Sequence, residues 1–254
     1  LNLFVDLISA LSDDAIEECE NSIIIRSEDD LKEIKTGMLD FASAMSIKCE
    51  VILEKKKNED WIKIYQESVK AIEVGKFYIR PSWELKKDNL IDIIIDPALS
   101  FGSGHHETTN ACLEAISKYV DDTKSVIDVG CGSGILSIAA SKLGASVDIC
   151  DTDDVCIKDS EVNFSLNNTK YNHAWVGSAL KSEKQYDIVI ANIVADVLVM
   201  INKDLKKCLK PNGILIISGI LDKHLQKVLK KFKDLEILET IQQNEWCTLV
   251  LKGE

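Results

Sequence analysis

What the chain lacks narrows it before what it contains. No apolar run reaches the roughly 18 to 20 residues that cross a bilayer, and no basic segment followed by a short apolar core opens the sequence. Neither a membrane span nor a secretory leader is expected. The eight cysteines (19, 49, 112, 131, 150, 156, 208 and 247) include no C-x-x-C pair, and the four histidines make no H-E-x-x-H. That argues against zinc sites and disulfide frameworks and for free thiols in a reducing, cytoplasmic compartment. Basic side chains are also scarce, 30 against 42 acidic, for a net charge of −12. Direct nucleic-acid binding, which neutralises phosphates with Lys and Arg, is not expected.

What is present suits a large α/β domain with a smaller one in front. The 254 residues are 46% hydrophobic, enough for a full core. Residues 1–60 carry 15 acidic and 7 basic side chains, so most of the excess charge sits in the first quarter. Such an acidic module suits a basic protein partner, or is simply a solvated surface. Leu3, Leu7, Ile8 and Leu11 share one helical face, Ser22 to Arg26 reads as a strand, Leu31 to Met45 as a helix, and Lys48 to Leu53 alternates like a strand. We therefore expect a small α+β domain over 1–55, a linker helix over 56–75 and a large domain over 76–254.

From Lys124 onward strands and helices alternate. Strands are expected at Ser125 to Val129, Val147 to Asp151, His173 to Val176, Tyr186 to Ala191 and Ile214 to Ser218, with closing strands at Leu235 to Glu239 and Cys247 to Lys252. This predicts a seven-stranded, mostly parallel sheet covered on both faces. Ligands of such sheets bind beyond the carboxyl ends of the strands.

The most specific stretch is Val126 to Leu136, a buried strand ending in Asp128-x-Gly130-x-Gly132-x-Gly134 and opening a helix. Glycines at every second position let a ligand approach the backbone. Asp151, 21 residues past Gly130 at the next strand end, is placed to accept two ribose hydroxyls. A dinucleotide loop would put an anionic pyrophosphate on the helix N-terminus. Asp128 would repel it but attract the ammonium and sulfonium of S-adenosylmethionine (AdoMet), directly or through water. AdoMet is the expected cofactor; the bland alternative is a glycine turn with no ligand.

Other residues of the same strand ends carry lesser expectations. Asn192 is the acceptor-side candidate, since its amide or the adjacent backbone carbonyl could take an amine N–H and aim the lone pair. No N-P-P-Y follows it, which counts against glutamine and adenine amino groups as acceptors. Thr108 and Thr109 begin a helix, where capping would explain them. His105 and His106 could serve a proton but lack metal-site spacing. Cys131 suits the loop because it is small. Gly177-Ser178-Ala179 is where an adenine ring would lie.

Three ordered motifs, Asp96 to Thr109 (DPALSFGSGHHETT), the glycine loop and Ala191-Asn192-Ile193, together with Glu245-Trp246-Cys247, resemble those of the ribosomal protein L-eleven methyltransferases, the PrmA family. The resemblance spans the chain. It implies a class I methyltransferase fold and AdoMet-dependent methylation of lysine or N-terminal amines of that large-subunit protein. It also implies a ferredoxin-like front domain that recognises the substrate, here lacking its first strand ahead of Leu1. In that family AdoMet contacts match Thr109, Gly130, Asp151 and Asn192 here. With Asp128, Gly132 and Gly134 from the loop these form the expected cofactor set, and Asn192 is the expected catalytic residue; no metal is expected. Two positions depart from the family's F-G-T-G-x-H-P-T-T, namely Ser103 for Thr and Glu107 for Pro; the second implies a looser loop. A monomer is expected. The alternatives are a related lysine methyltransferase with another substrate and a non-catalytic AdoMet-binding module on the ribosome.

Overall fold

The mixed apolar pattern of the first 55 residues and the strict strand–helix alternation after residue 124 fall in separate units, Leu1–Tyr65 and Gln66–Glu254. The computed structural model describes residues 4, 5, 8, 16–18, 22–25, 27, 31–54, 70–96 and 102–253. In the first unit β1 (Ile16–Glu18) pairs antiparallel with β2 (Ile23–Ile25). Helix α1 (Lys32–Ala44) turns Met38 and Ala42 inward against Phe4 and Ile8. Phe4 meets Phe41 edge to face with ring centroids 5.4 Å apart.

One strand in this unit was not expected, and one expected strand fails. Ile16–Glu18 is a strand that alternation did not single out, and Lys48 to Leu53 is not one. Cys49 and Val51 do pack on the small core, and Ile52 is exposed, so the alternation is real. A strand also needs a hydrogen-bonded neighbour, and among the described residues this segment pairs with none. The linker helix expected over 56–75 lies outside the described residues as far as 69, and its last residues are a strand.

That strand, β3 (Ile72–Val74), pairs antiparallel with β4 (Phe77–Arg80), which pairs parallel with β5 (Ile91–Ile94). There follow α2 (Glu107–Tyr119), β6 (Ser125–Val129), α3 (Ile135–Lys142), β7 (Ser146–Asp151), α4 (Asp154–Leu166), β8 (His173–Val176), β9 (Tyr186–Asn192), α5 (Ala195–Lys207), β10 (Leu209–Leu221), α6 (Leu225–Leu229), β11 (Glu236–Gln243) and β12 (Trp246–Lys252). Strands β6 to β12 form one sheet in the order β11-β12-β10-β9-β6-β7-β8. All neighbours are parallel except at β12, which runs antiparallel to both β10 and β11. The seven expected strands are all present within a few residues of their expected ends.

Both faces of the sheet are dry, which is why its central strands read as near-continuous apolar runs. Val126, Ile188, Ile190, Ile216 and Val250 point to the face covered by α2, α3 and α4. Their neighbours Ile127, Val189, Leu215, Ile217, Leu249 and Leu251 point to the face covered by α5 and α6. The chain order reverses between β6 and its neighbour β9, so the strand ends diverge there and open a crevice. Asn167, the C-cap of α4, ties the small sheet to that helix, accepting from the Ile94 amide at 2.8 Å and donating to its carbonyl at 2.6 Å. Among the described residues no helix is long and apolar enough to cross a membrane.

Candidate active site

A cleft of about 440 Å³ opens at the carboxyl ends of β6, β7, β9 and β10, a size suited to a small ligand. Thr109, Gly130, Gly132, Asp151 and Asn192 line it, so five of the seven expected cofactor residues converge. Asp128 and Gly134 do not line it. Gly134, the N-cap of α3 with φ +79°, allows close packing: a Cβ there would lie 3.0 Å from Ser160 Oγ.

The loop is held by its neighbours and not by its own residues alone. The Gly130 and Cys131 amides both donate to the Cys150 carbonyl, at 2.8 and 3.2 Å. Ser160 Oγ donates to the Gly132 carbonyl at 2.9 Å, and Asn163 Nδ2 to the Ser133 carbonyl at 2.9 Å. Helix α4 thus buttresses the loop. Ser133 Oγ in turn donates to the Gly102 carbonyl at 2.6 Å, fastening the segment ahead of α2 to the loop.

The two acids differ in environment. Asp151 is partly exposed at the cleft wall, where Oδ2 accepts from the Gly132 amide at 3.0 Å and Oδ1 from the Asp153 amide at 3.1 Å. Each carboxylate oxygen has a second lone pair for a hydroxyl donor. Asp128 is 1% exposed. Ser137 Oγ donates to its Oδ2, Oδ1 has no hydrogen-bond partner, and burial pushes its carboxyl up to about 6. Of the ways expected for it to meet a cation, direct contact does not arise; its charge would act from beneath the loop, which the low dielectric there would strengthen.

On the other wall His106, not a threonine, caps α2: its Nδ1 accepts from the Thr108 amide at 3.3 Å. An accepting Nδ1 leaves the proton of the neutral ring on Nε2, so this His is not a free base. The His106 ring meets Trp246 edge to face at 4.9 Å. Thr109, 1% exposed, accepts at Oγ1 from Asn192 Nδ2 at 3.5 Å. His105 instead contacts the Lys70 carbonyl at 2.8 Å. Glu107, expected to loosen the loop, accepts from Asn244 Nδ2 at 2.9 Å. Its own backbone N–H at the start of the helix, and then that bond, hold its carboxyl below the usual range.

Several contributors escaped the sequence. Gly177, Ser178 and Ala179 do not line the cleft, whereas Thr152 and Cys156 beyond β7 do. Ala179 is instead fully buried and Ser178 accepts from Trp175 Nε1 at 3.1 Å. Gly219 and Trp246 also line the cleft. Trp246 carried a signal only through the family resemblance, and Gly219 carried none. Buried Cys131 has a thiol raised by desolvation and the nearby acid Asp128, unsuited to nucleophilic use.

The lining fits AdoMet on its own chemistry. It holds Asp151 and neutral or apolar groups and, among the described residues, neither lysine nor arginine. A pyrophosphate would find no cation there, whereas a sulfonium and a hydroxyl-bearing ribose find an acid and apolar walls. With the sheet order, its antiparallel closing strand and the loop–acid pair, this defines a class I AdoMet-dependent methyltransferase. A methyltransferase from Pyrococcus furiosus shares the fold (TM-score 0.54, 13% identity, 64% of this chain and 90% of that one).

The pattern of the family described as ribosomal protein L11 methyltransferase (PrmA) matches residues 11–254, and the chain belongs to that family. Ribosomal protein L11 methyltransferases of a Nitratiruptor species and of Campylobacter lari are 51% and 47% identical to it. The first match covers 94% of this chain and 87% of the relative, the second 100% and 94%. The crystal structure of a ribosomal protein L11 methylase from Lactobacillus delbrueckii subsp. bulgaricus superposes with a TM-score of 0.67 at 30% identity. That match covers 72% of this chain and 99% of the other.

Proposed function

We propose that the cleft divides into a cofactor wall and an acceptor wall, through which this AdoMet-dependent methyltransferase modifies amines of ribosomal protein L11. The observation that carries the reading is the placement of Asp151 and the glycine loop opposite Asn192 in one cleft without basic side chains. AdoMet, when bound, supplies an electrophilic methyl group. Asp151 would hold the ribose hydroxyls, Gly130 and Gly132 would let the ligand lie against the backbone, and Asp128 would favour the cationic end from beneath. Thr109 sets the Asn192 amide through the hydrogen bond at 3.5 Å. The amide's other end, Oδ1, would then take an N–H of the incoming amine and aim its lone pair.

The acceptor must arrive neutral. A lysine with an ordinary pKa near 10.4 costs about 4.6 kcal/mol to deprotonate at pH 7, an α-amino group near 7.8 about 1 kcal/mol. Ile193, Val194, Val197 and Trp246 give that side of the cleft an apolar lining, which lowers the cost by disfavouring the cation. A neutral amide partner such as Asn192 also tolerates successive methylations. We assign substrate recognition to residues 1–55, whose acidic excess suits a basic ribosomal protein, and we expect a monomer that makes no direct nucleic-acid contact. The free thiols of the described cysteines suit a cytoplasmic site of action.

The test is mass spectrometry of purified L11 incubated with the protein and AdoMet. Mass gains in one-methyl steps on lysine or the N-terminal amine are expected. No gain, with AdoMet binding demonstrated by calorimetry, would move the assignment to another protein substrate. Deleting residues 1–55 is expected to spare AdoMet binding and abolish L11 methylation. Full activity of the shortened chain would refute the role given to that segment.

A further inference from the structure

The parallel register of β9 and β10 ends at Asn192 beside Ser218. Immediately beyond, the pairing of β10 with β12 slips between Ile217 and Ile220, so Ser218 and Gly219 form a bulge next to the end of β9. Bulges of this kind bend a strand and re-aim what lies beside it. Gly219 sits in the left-handed region at φ +79°. A Cβ on it would lie 2.4 Å from the Ile193 carbonyl oxygen and 2.7 Å from its carbon. Those neighbours are backbone, which no rotamer change can move aside. From the other side Ile193 Cγ2 would come within 2.6 Å of a Cβ on Gly130. Ile193 is therefore seated between two glycines, and Asn192 is the residue before it. The bulge itself is pinned, since Ser218 Oγ lies 2.6 Å from Thr248 Oγ1 and 3.4 Å from the Thr108 carbonyl.

We infer that Gly219 is a positioning residue for methyl transfer: its missing side chain sets the Asn192-Ile193 turn against the cofactor loop and so places the Asn192 amide. The inference rests on the reading that Asn192 faces the acceptor amine. An alanine at 219 forces the turn to move by about half an ångström or more, and misplacements of that order near reacting groups cost about 10- to 100-fold in rate. The cofactor wall is anchored separately, through Cys150 and α4.

The experiment compares the parent chain, Gly219→Ala and Ile193→Gly by crystallography, AdoMet calorimetry and single-turnover methylation of L11. In Gly219→Ala the turn is expected to shift while the Gly132–Asp151 bond persists. Its AdoMet affinity is expected to stay within about threefold, with turnover falling about 10- to 100-fold. Ile193→Gly leaves Gly219 untouched and frees the turn, so it answers the question even if Gly219→Ala does not fold; a severalfold loss of turnover at unchanged AdoMet affinity is expected. An unshifted turn in Gly219→Ala, full turnover in either variant, or AdoMet affinity lost in step with turnover would overturn the inference. If the parent itself leaves L11 unmethylated, the proposed substrate fails, and the position of the turn in the Gly219→Ala crystal still decides what Gly219 does.

Discussion

The two walls of the cleft are assembled in different ways. The cofactor wall comes from two adjoining parallel strands: the loop after β6 and the acid ending β7 lie 21 residues apart in sequence and are joined by the Gly132 amide and Asp151 carboxylate, 3.0 Å apart. The acceptor wall gathers Thr109, Asn192, Gly219 and Trp246 from four distant segments. Those residues meet because β12 returns antiparallel beside β10 and because α2 starts against the same strand ends. The part proposed to bind the cofactor is thus local in sequence, and the part proposed to aim the acceptor depends on how the closing strands pack.

If the walls divide the labour, substitutions should divide too. The largest effect is expected from Asp151→Ala, which removes two charge-assisted hydroxyl acceptors and the clamp on Gly132. A loss of about 3 kcal/mol in AdoMet affinity, roughly 150-fold, is expected by calorimetry. Unchanged affinity would place the cofactor elsewhere. Next comes Asn192→Ala, where kcat on L11 is expected to fall about 10- to 100-fold while the AdoMet Kd changes by no more than about threefold. Equal losses in both would assign Asn192 to cofactor binding, the role the family resemblance implies for it, and would break the comparison.

Asp128 sharpens it from another direction, through stability. Its carboxyl titrates at about 6 because it is buried, with one oxygen unpaired, against about 3.9 in an unfolded chain. The folded state holds this proton where the unfolded chain releases it. The contribution of this group to stability is therefore highest below pH 4, falls as pH rises through 6, and is level above that. Asp128→Asn removes the buried charge. The cofactor-free variant should gain about 2 kcal/mol in urea unfolding at pH 7.5, with the gain shrinking toward pH 4. Its AdoMet affinity should fall. A variant less stable than the parent at pH 7.5 would mean that the buried charge has a partner.

These contrasts explain what could be read in advance. The central strands of the sheet were legible because burial on both faces writes them as apolar runs. The cofactor loop was legible because a glycine pattern, an acid and a strand–helix junction are contiguous. Gly219 was not, since its role comes from a bulge whose partner strand lies about 30 residues further on and from a carbonyl in the turn just past a third strand. Lys48 to Leu53 failed for the reverse reason: alternation reports a face and says nothing of a neighbour to pair with. The adenine placement at Gly177 rests on position in the strand series alone, which does not tell which way the backbone turns afterward. There Gly177 donates to the Asp151 carbonyl at 2.6 Å, and Lys181 Nζ covers the Val176 carbonyl at 2.7 Å.

The smallest effect tests the entry to the acceptor wall. His106 satisfies an amide at the start of α2 through Nδ1 while its ring rests on Trp246. Asparagine can replace the first contact and not the second. Loss of a cap costs about 1 kcal/mol, and an aromatic pair contributes about 0.5–1.5 kcal/mol beyond its buried area. His106→Ala should therefore lower stability by about 2 kcal/mol and His106→Asn by roughly half as much, both measured by urea unfolding. If the two walls are independent, neither variant should alter AdoMet affinity by more than about threefold. A larger change in His106→Asn, where the cap is kept, would show that the ring on Trp246 also shapes the cofactor wall.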